Sequence, residues 1–177
     1  MDVPQVNGYG LFALKIFNQE YARLQALVGD IVTKADALFA DEKFDEAERL
    51  LSHPTIKLFE AVDTLISEKV PADPNAKPYR LGSYLGKNYS SWRRIKKMSL
   101  PDRYRLFFRF SSTPPKSIVY AWLNDESTLR KSGSKTDPYK VFVKMLKGGK
   151  VPNEWSELLD EADALALIDE EKDGTSE

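Results

Sequence analysis

Arginines placed two residues apart on strand-like runs define the chemistry for which this chain is equipped. In the run 92–98, WRRIKKM, side chains alternate as they do along any strand, so Arg94 and Lys96 share one face and Ile95 takes the other. In the run 104–110, YRLFFRF, Arg105, Phe107 and Arg109 share a face opposite Tyr104, Leu106, Phe108 and Phe110. A polar loop at 124–137, NDESTLRKSGSKTD, adds Arg130, Lys131 and Lys135 beside them. A guanidinium grips phosphate through a forked pair of N–H donors, so the set suits a phosphate-rich partner.

The elements that must position these cations are legible in outline. The run 117–123 is almost wholly apolar and reads as the central strand, buried on both faces. Pro114 and Pro115 cannot donate to a ladder, so 111–116 is a hairpin connection, and the consecutive runs pair antiparallel. A further strand is expected at 9–17. From 18 to 39 the apolar residues recur at three- and four-residue steps, Tyr21, Leu24, Ile31, Ala35 and Leu38 among them, and a second helical stretch covers 44–66 with a kink or break at Pro54. Together they form a helical hairpin over one face of the sheet. His53, the one histidine, takes a capping or surface role ahead of Pro54 rather than a catalytic one. The stretch 70–78 is a loop by its prolines. The aromatic and basic residues of 80–92 fit either contact with nucleic acid or a plain connection. Asp137 and Pro138 cap and start a helix whose stripe is Tyr139, Phe142, Val143, Met145 and Leu146, with Lys140, Lys144 and Lys147 outward and Gly148 and Gly149 ending it. Beyond it, Trp155, Leu158, Leu159, Ala162, Leu165 and Ala166 fall at helical spacing among many carboxylates. That acidic segment either covers the cationic face or serves as a solubilising tail.

With 177 residues and 42% hydrophobic content the chain builds one domain, expected at 1–152 with an acidic helix or tail at 153–177. The absence of cysteine excludes disulfides, thiolate metal sites and a cysteine nucleophile. No basic region followed by an apolar one opens the chain, and no run approaches a membrane span, so a cytoplasmic protein without membrane contact is expected. The formal charge of -1 hides a partition. Residues 77–150 carry 18 basic against 4 acidic side chains, a balance of +14, while the flanking blocks 1–76 and 151–177 stand at -6 and -9. A block at +14 points to a multiply charged polymer more than to a small metabolite.

The runs YRLFFRF, AWLNDESTLR and KTDPYKVFVKMLKGGKVPNEW, with VNGY near the start and WRR at the first basic run, resemble the YhaV family of bacterial toxins within the RelE/ParE superfamily. The likeness is continuous from Trp92 to Trp155. Arg93 stands where the familiar pattern has serine, and the Pro114–Pro115 turn and the acidic tail also depart from it. The resemblance implies an α+β fold, a single RelE-like domain with a small, mostly antiparallel four-stranded sheet packed by an N-terminal helical hairpin and a C-terminal helix. It implies the toxin of a type II toxin–antitoxin pair, an endoribonuclease cutting mRNA, often at the ribosome, and stopping translation. Its expected neutraliser is a PrlF-like antitoxin with an AbrB-type DNA-binding domain, through which the pair represses its own operator DNA.

Cleaving RNA without a metal uses the neighbouring 2′-hydroxyl as nucleophile, so the protein must hold it in line, stabilise a dianionic phosphorane and supply a proton to the leaving group. No histidine lies in the basic region, and the work falls to arginine and lysine, with no cofactor or metal required. Arg94, in the family's tryptophan-x-arginine arrangement, is the first choice for phosphate or transition-state contact; Arg105 and Arg130 follow as catalytic candidates. Lys96, Arg109, Lys131, Lys135 and Tyr139 are RNA-binding candidates, Tyr139 standing equally as a core aromatic. Asn124, Asp125 and Glu126 rank lower, Glu126 as the nearby carboxylate able to act as base. Arg103 beside Asp102 reads as a surface pair. Two other classes stay open: a ParE-like poison that blocks gyrase without cutting RNA, and a nucleic-acid-binding co-repressor subunit.

Overall fold

The apolar run expected at the centre forms β5 (Ser117–Leu123), buried at every residue, and the sheet is assembled around it. The computed structural model describes residues 2–167. β1 (Gln5–Val6), β2 (Tyr9–Ala13), β3 (Arg93–Ile95), β4 (Leu106–Ser111) and β6 (Asp163–Ala164) complete six strands in the order β1-β2-β5-β4-β3, with β6 pairing β2 as well. β3, β4 and β5 pair antiparallel, as their short connections require. β2, however, runs parallel to β5, from Gly10 opposite Ser117 to Ala13 opposite Tyr120. The mostly antiparallel four-stranded sheet of the sequence reading is therefore corrected to a mixed, six-stranded one. The two additional strands are two residues long, too short to carry a period, and the direction of β2 is set by a partner more than a hundred residues away.

The expected strand at 9–17 also ends early. Leu14 hands the chain over: its N–H donates to the Tyr120 carbonyl at 2.9 Å while its own carbonyl accepts from the N–H groups of Phe17 and Asn18. α1 (Lys15–Ala40) starts there, because Phe17 extends the Tyr21 and Leu24 stripe upstream by one turn. The second helical stretch breaks at the proline, giving α2 (Phe44–Leu51) and α3 (Pro54–Thr64). His53 caps α3, its Nδ1 accepting from the Thr55 N–H at 3.1 Å with Pro54 in the first turn. A π turn at Leu65–Lys69 carries α3 into the short α4 (Val70–Ala72) and presents the Ile66 carbonyl to the hydroxyl of the buried Tyr120 at 2.8 Å. α5 (Pro138–Lys147) and α6 (Trp155–Glu161) complete the α-helices among the described residues.

Helices cover both faces of the sheet. On one, Phe17, Tyr21 and Leu24 of α1 and Leu58, Phe59 and Val62 of α3 pack on Leu11, Ile118, Tyr120 and Phe108. On the other, Phe142 and Leu146 of α5 and Leu158 of α6 pack on Phe107, Val119 and Trp122. A bulge in β5 serves this second face: Phe107 opposes Trp122 and Phe108 opposes Tyr120, so the extra residue, Ala121, joins Trp122 against α5. Helical spacing over 155–166 ends earlier than expected, at Glu161, and the chain then returns as β6 with Leu165 buried. Residues 168–177, which hold the rest of the acidic segment, lie outside the described residues. Among the described residues no helix is long and apolar enough to cross a membrane.

Candidate active site

Tyr139 is the side chain on which the basic residues meet. Asp137 caps α5 by accepting from the Tyr139 N–H through Oδ2 at 3.2 Å, and Pro138 presets the first turn, so the ring enters the core between strand and loop at 5% exposure. It meets Phe107 edge-on at 5.7 Å and stacks on Tyr84 at 4.9 Å. Its hydroxyl oxygen accepts from Arg94 Nε at 2.8 Å and from Arg105 Nε at 3.1 Å. Arg130 lies over the same ring at 4.9 Å. Arg94, Arg105 and Arg130 thus converge on one phenol, although they come from β3, the residue just before β4 and a loop.

Each is held by a different local device. Arg94 sits opposite Phe107 in the β3–β4 ladder, which directs it to the α5 face, and it is 3% exposed. Its Nη1 donates to the carbonyls of Pro78 and Arg80 at 3.1 and 3.3 Å. Arg105 is half-buried and donates Nη1 to its neighbour's carbonyl, that of Tyr104, at 2.7 Å. Among the described residues neither forms an ion pair, so both positive charges are uncancelled by a carboxylate. Arg130 differs: Nη1 donates to Asp137 Oδ1 at 2.7 Å, and that hydrogen bond holds its guanidinium above the ordinary arginine range. Asp137 is 2% exposed and also accepts from the Lys131 N–H at 2.8 Å. One carboxylate therefore caps the helix and anchors the loop that carries the third arginine.

Asn124, read as a weak candidate, is the fastener of this arrangement. It is fully buried; its Oδ1 accepts from the Arg105 N–H at 2.6 Å, and its Nδ2 donates to the carbonyls of Arg103 and Thr128 at 3.0 and 2.7 Å. Arg103, expected as a surface pair with Asp102, instead donates Nε to the Arg130 carbonyl at 3.0 Å. Replacing Asn124 by Ala orphans one buried donor and two carbonyls, and Asn124→Ala is expected to lower unfolding free energy by about 2 kcal/mol, read from the denaturant midpoint at unchanged slope.

The remaining expected residues are dispersed. β3 ends at Ile95, so Lys96 leaves the strand, half-buried, just before Lys97, Met98 and Ser99, all with positive φ. Lys131 and Lys135 are exposed on the loop before α5. Arg109 shares the Arg105 face but lies between Trp92 and Trp155, 5.7 Å from each ring, and donates to the Asn153 carbonyl. Glu126 is engaged by Arg23 of α1 at 3.2 Å, and the carboxylate that does reach the cluster is Asp137. Tyr84 was not singled out from sequence. It is 53% exposed, stacks on Tyr139 and has Arg94 over its ring at 5.7 Å. The mixed aromatic and basic composition of 80–92 was the available signal.

Two buried or half-buried guanidinium groups without carboxylates, flanked by an ion-paired third and an exposed tyrosine, make a basic, aromatic-lined centre fit for the charge of a phosphodiester. That is the equipment of a protein acting on nucleic acid. The chain belongs to the YhaV toxin family: residues 11–163 match the model of a toxin with endonuclease activity, of a toxin–antitoxin system. Toxin YhaV of Escherichia coli O6:H1 is 39% identical over 165 residues, which cover 92% of this chain and 98% of that protein. Ribonuclease toxin YhaV of Escherichia coli strain K12 is 38% identical over 165 residues with the same coverage. No solved structure matches the chain with significance. As a member of a toxin–antitoxin system, it has an antitoxin as its partner.

Proposed function

We propose that this chain is an endoribonuclease that cuts mRNA at the Tyr139 centre by attack of the 2′-hydroxyl, and that Arg94, Arg105 and Arg130 carry the charge stabilisation. The observation that carries the proposal is the convergence of Arg94 Nε and Arg105 Nε on one hydroxyl oxygen. With both lone-pair directions taken, the Tyr139 O–H is left as a donor. The 2′-oxygen attacks phosphorus, the bond to the 5′-oxygen breaks, and the leaving oxygen takes a proton from Tyr139. The 2′-hydroxyl proton passes to solvent, and the products are a 2′,3′-cyclic phosphate and a 5′-hydroxyl. The arginines, already fixed by Pro78, Arg80 and Asp137, need no reorganisation as negative charge grows on the phosphorane. Tyr84, half open to solvent above the centre, offers a stacking surface for a flanking base.

In this reading the target is mRNA in the cytoplasm, engaged on or off the ribosome, and the consequence is arrested translation. The antitoxin is PrlF-like with an AbrB-type domain, contacting operator DNA for the pair, and the domain is RelE-like; these assignments rest on the family resemblance. The test is to incubate the purified chain, free of antitoxin, with end-labelled mRNA in EDTA, with and without ribosomes. Fragments ending in 2′,3′-cyclic phosphate are expected. A folded protein that leaves the RNA intact under both conditions rules the proposal out.

A further inference from the structure

The outward face of α5 carries a row of lysines. Lys140, Lys144 and Lys147 follow one another at steps of four and three residues, so they stand in line over about 10 Å of helix, away from the face on which Phe142 and Leu146 are buried. All three are exposed, and among the described residues none of them forms an ion pair. Between Ser127 and Asn153 the one acidic residue is Asp137, which is buried and committed to Arg130 and to the helix start. Lys150, past the end of the helix, lies with Asp160, Glu161 and Asp163 around a pocket and is not part of the row.

Helix electrostatics account for only part of this arrangement. Lys144 and Lys147 fall in the last turn, where cations complement the dipole. Lys140 falls in the first turn, at the third position after the Asp137 cap, which favours glutamate or glutamine. A cation there works against the dipole, and no acidic residue in that turn offsets it. Lys140 is turned to the preceding loop, its Nζ donating to the Gly133 carbonyl at 3.3 Å. That loop carries the exposed Lys131 and Lys135 and is fastened to the helix start by Asp137, which also holds Arg130. The row therefore begins beside the arginine that lies over Tyr139 and leads away from it along exposed side chains. Solubility alone does not call for it, because the flanking blocks 1–76 and 151–177 are acidic, at -6 and -9, and the cations are gathered in one part of the chain.

We propose that Lys140, Lys144 and Lys147, with Lys131 and Lys135 at its near end, form a phosphate track that holds the backbone of the substrate RNA to one side of the cleaved bond. This rests on the ribonuclease function proposed above and deepens it: the substrate is a strand that continues past the scissile phosphate and lies over the outside of α5. Lysines suit this task because flexible point charges follow a backbone without reading its bases, while the planar arginines are kept for the reacting phosphate.

The experiment uses the full chain and a 2′-O-methyl octanucleotide, which binds without being cut, with affinity followed by fluorescence anisotropy between about 50 and 200 mM salt. In the triple variant Lys140→Gln, Lys144→Gln, Lys147→Gln, helix propensity is kept and three charges are removed. The slope of log affinity against log salt is expected to fall by about 2, three phosphate contacts on a single strand, with a loss of about 10²-fold at 0.1 M salt. The corresponding triple lysine-to-arginine variant is expected to keep the slope. A control, Lys34→Gln, Lys43→Gln, Lys57→Gln, removes the same charge from exposed positions on the helices across the sheet and is expected to leave the slope unchanged. Cleavage of a dinucleotide, too short to reach the track, should proceed at the wild-type rate in all three variants. An unchanged slope in the folded α5 triple variant overturns the track and leaves the cleavage centre standing. An equal fall in the control also overturns it, since the effect is then one of net charge. Loss of ribosome binding with unchanged octanucleotide binding overturns it in favour of ribosomal RNA, and loss of antitoxin binding alone overturns it in favour of an acidic protein segment. Wild-type protein that neither binds nor cuts RNA sinks this proposal and the ribonuclease function together.

Discussion

Arg94→Lys is expected to lower kcat for RNA cleavage by roughly 10²- to 10³-fold, the loss typical of one preorganised donor at a developing anion. Arg94 spends Nε on Tyr139 and Nη1 on the carbonyls of Pro78 and Arg80. A lysine ammonium supplies the same charge from a single point and cannot hold three acceptors in a plane. Lysine is the informative replacement because alanine would also strip two carbonyls and a phenol of their donor at a residue that is 3% exposed, at about 1–3 kcal/mol for each buried group left unsatisfied. Steady-state cleavage of end-labelled RNA, alongside a denaturant midpoint, separates lost chemistry from lost fold. A folded Arg94→Lys protein with kcat within about threefold of wild type would remove Arg94 from the mechanism.

Tyr139→Phe is expected to cost about 10²-fold in kcat with KM nearly unchanged, the pattern of a contact made chiefly in the transition state. The ring remains, so its stack with Tyr84 and its edge contact with Phe107 persist. The oxygen that gathers Arg94 and Arg105 is lost, and with it the proton donor proposed above. Two guanidinium groups then drift by a fraction of a hydrogen-bond length, and misplacement of order 1 Å is itself worth about 10²-fold. A purely structural Tyr139 gives a different result: activity per folded molecule stays at the wild-type value, and losses follow the unfolded fraction alone.

Local signals carried much of the architecture. Asp137, Pro138 and the paired glycines marked both ends of α5, because a cap needs an acceptor before the helix and a residue free to adopt positive φ after it, as Gly149 does at 77°. The alternation in 104–110 placed Arg105, Phe107 and Arg109 together, because side-chain facing is a property of the strand itself. The unbroken apolar run became the buried centre of the sheet for the same kind of reason. One such signal was passed over. Asn7 and Gly8, with φ of 50° and 83°, form the two-residue turn between β1 and β2 and mark a hairpin that the longer strand pattern obscured.

Other features belonged to the folded molecule. The sequence names no partner for β2, so its parallel pairing with β5 and the return of β6 emerged only when distant segments competed for the same edge. Tyr84 is an ordinary loop tyrosine until the turn at 81–84 lays it on Tyr139. Arg105, just ahead of β4, and Arg109 within it share a face in the sequence but part company because α5 brings a phenol to the first, while Trp92 ahead of β3 and Trp155 at the start of α6 set two indoles around the second. Residue type, period and capping are set by neighbours along the chain, and the sequence shows them directly. Convergence of side chains from β3, β4 and two loops depends on contacts between segments far apart, and only the packed structure settles it.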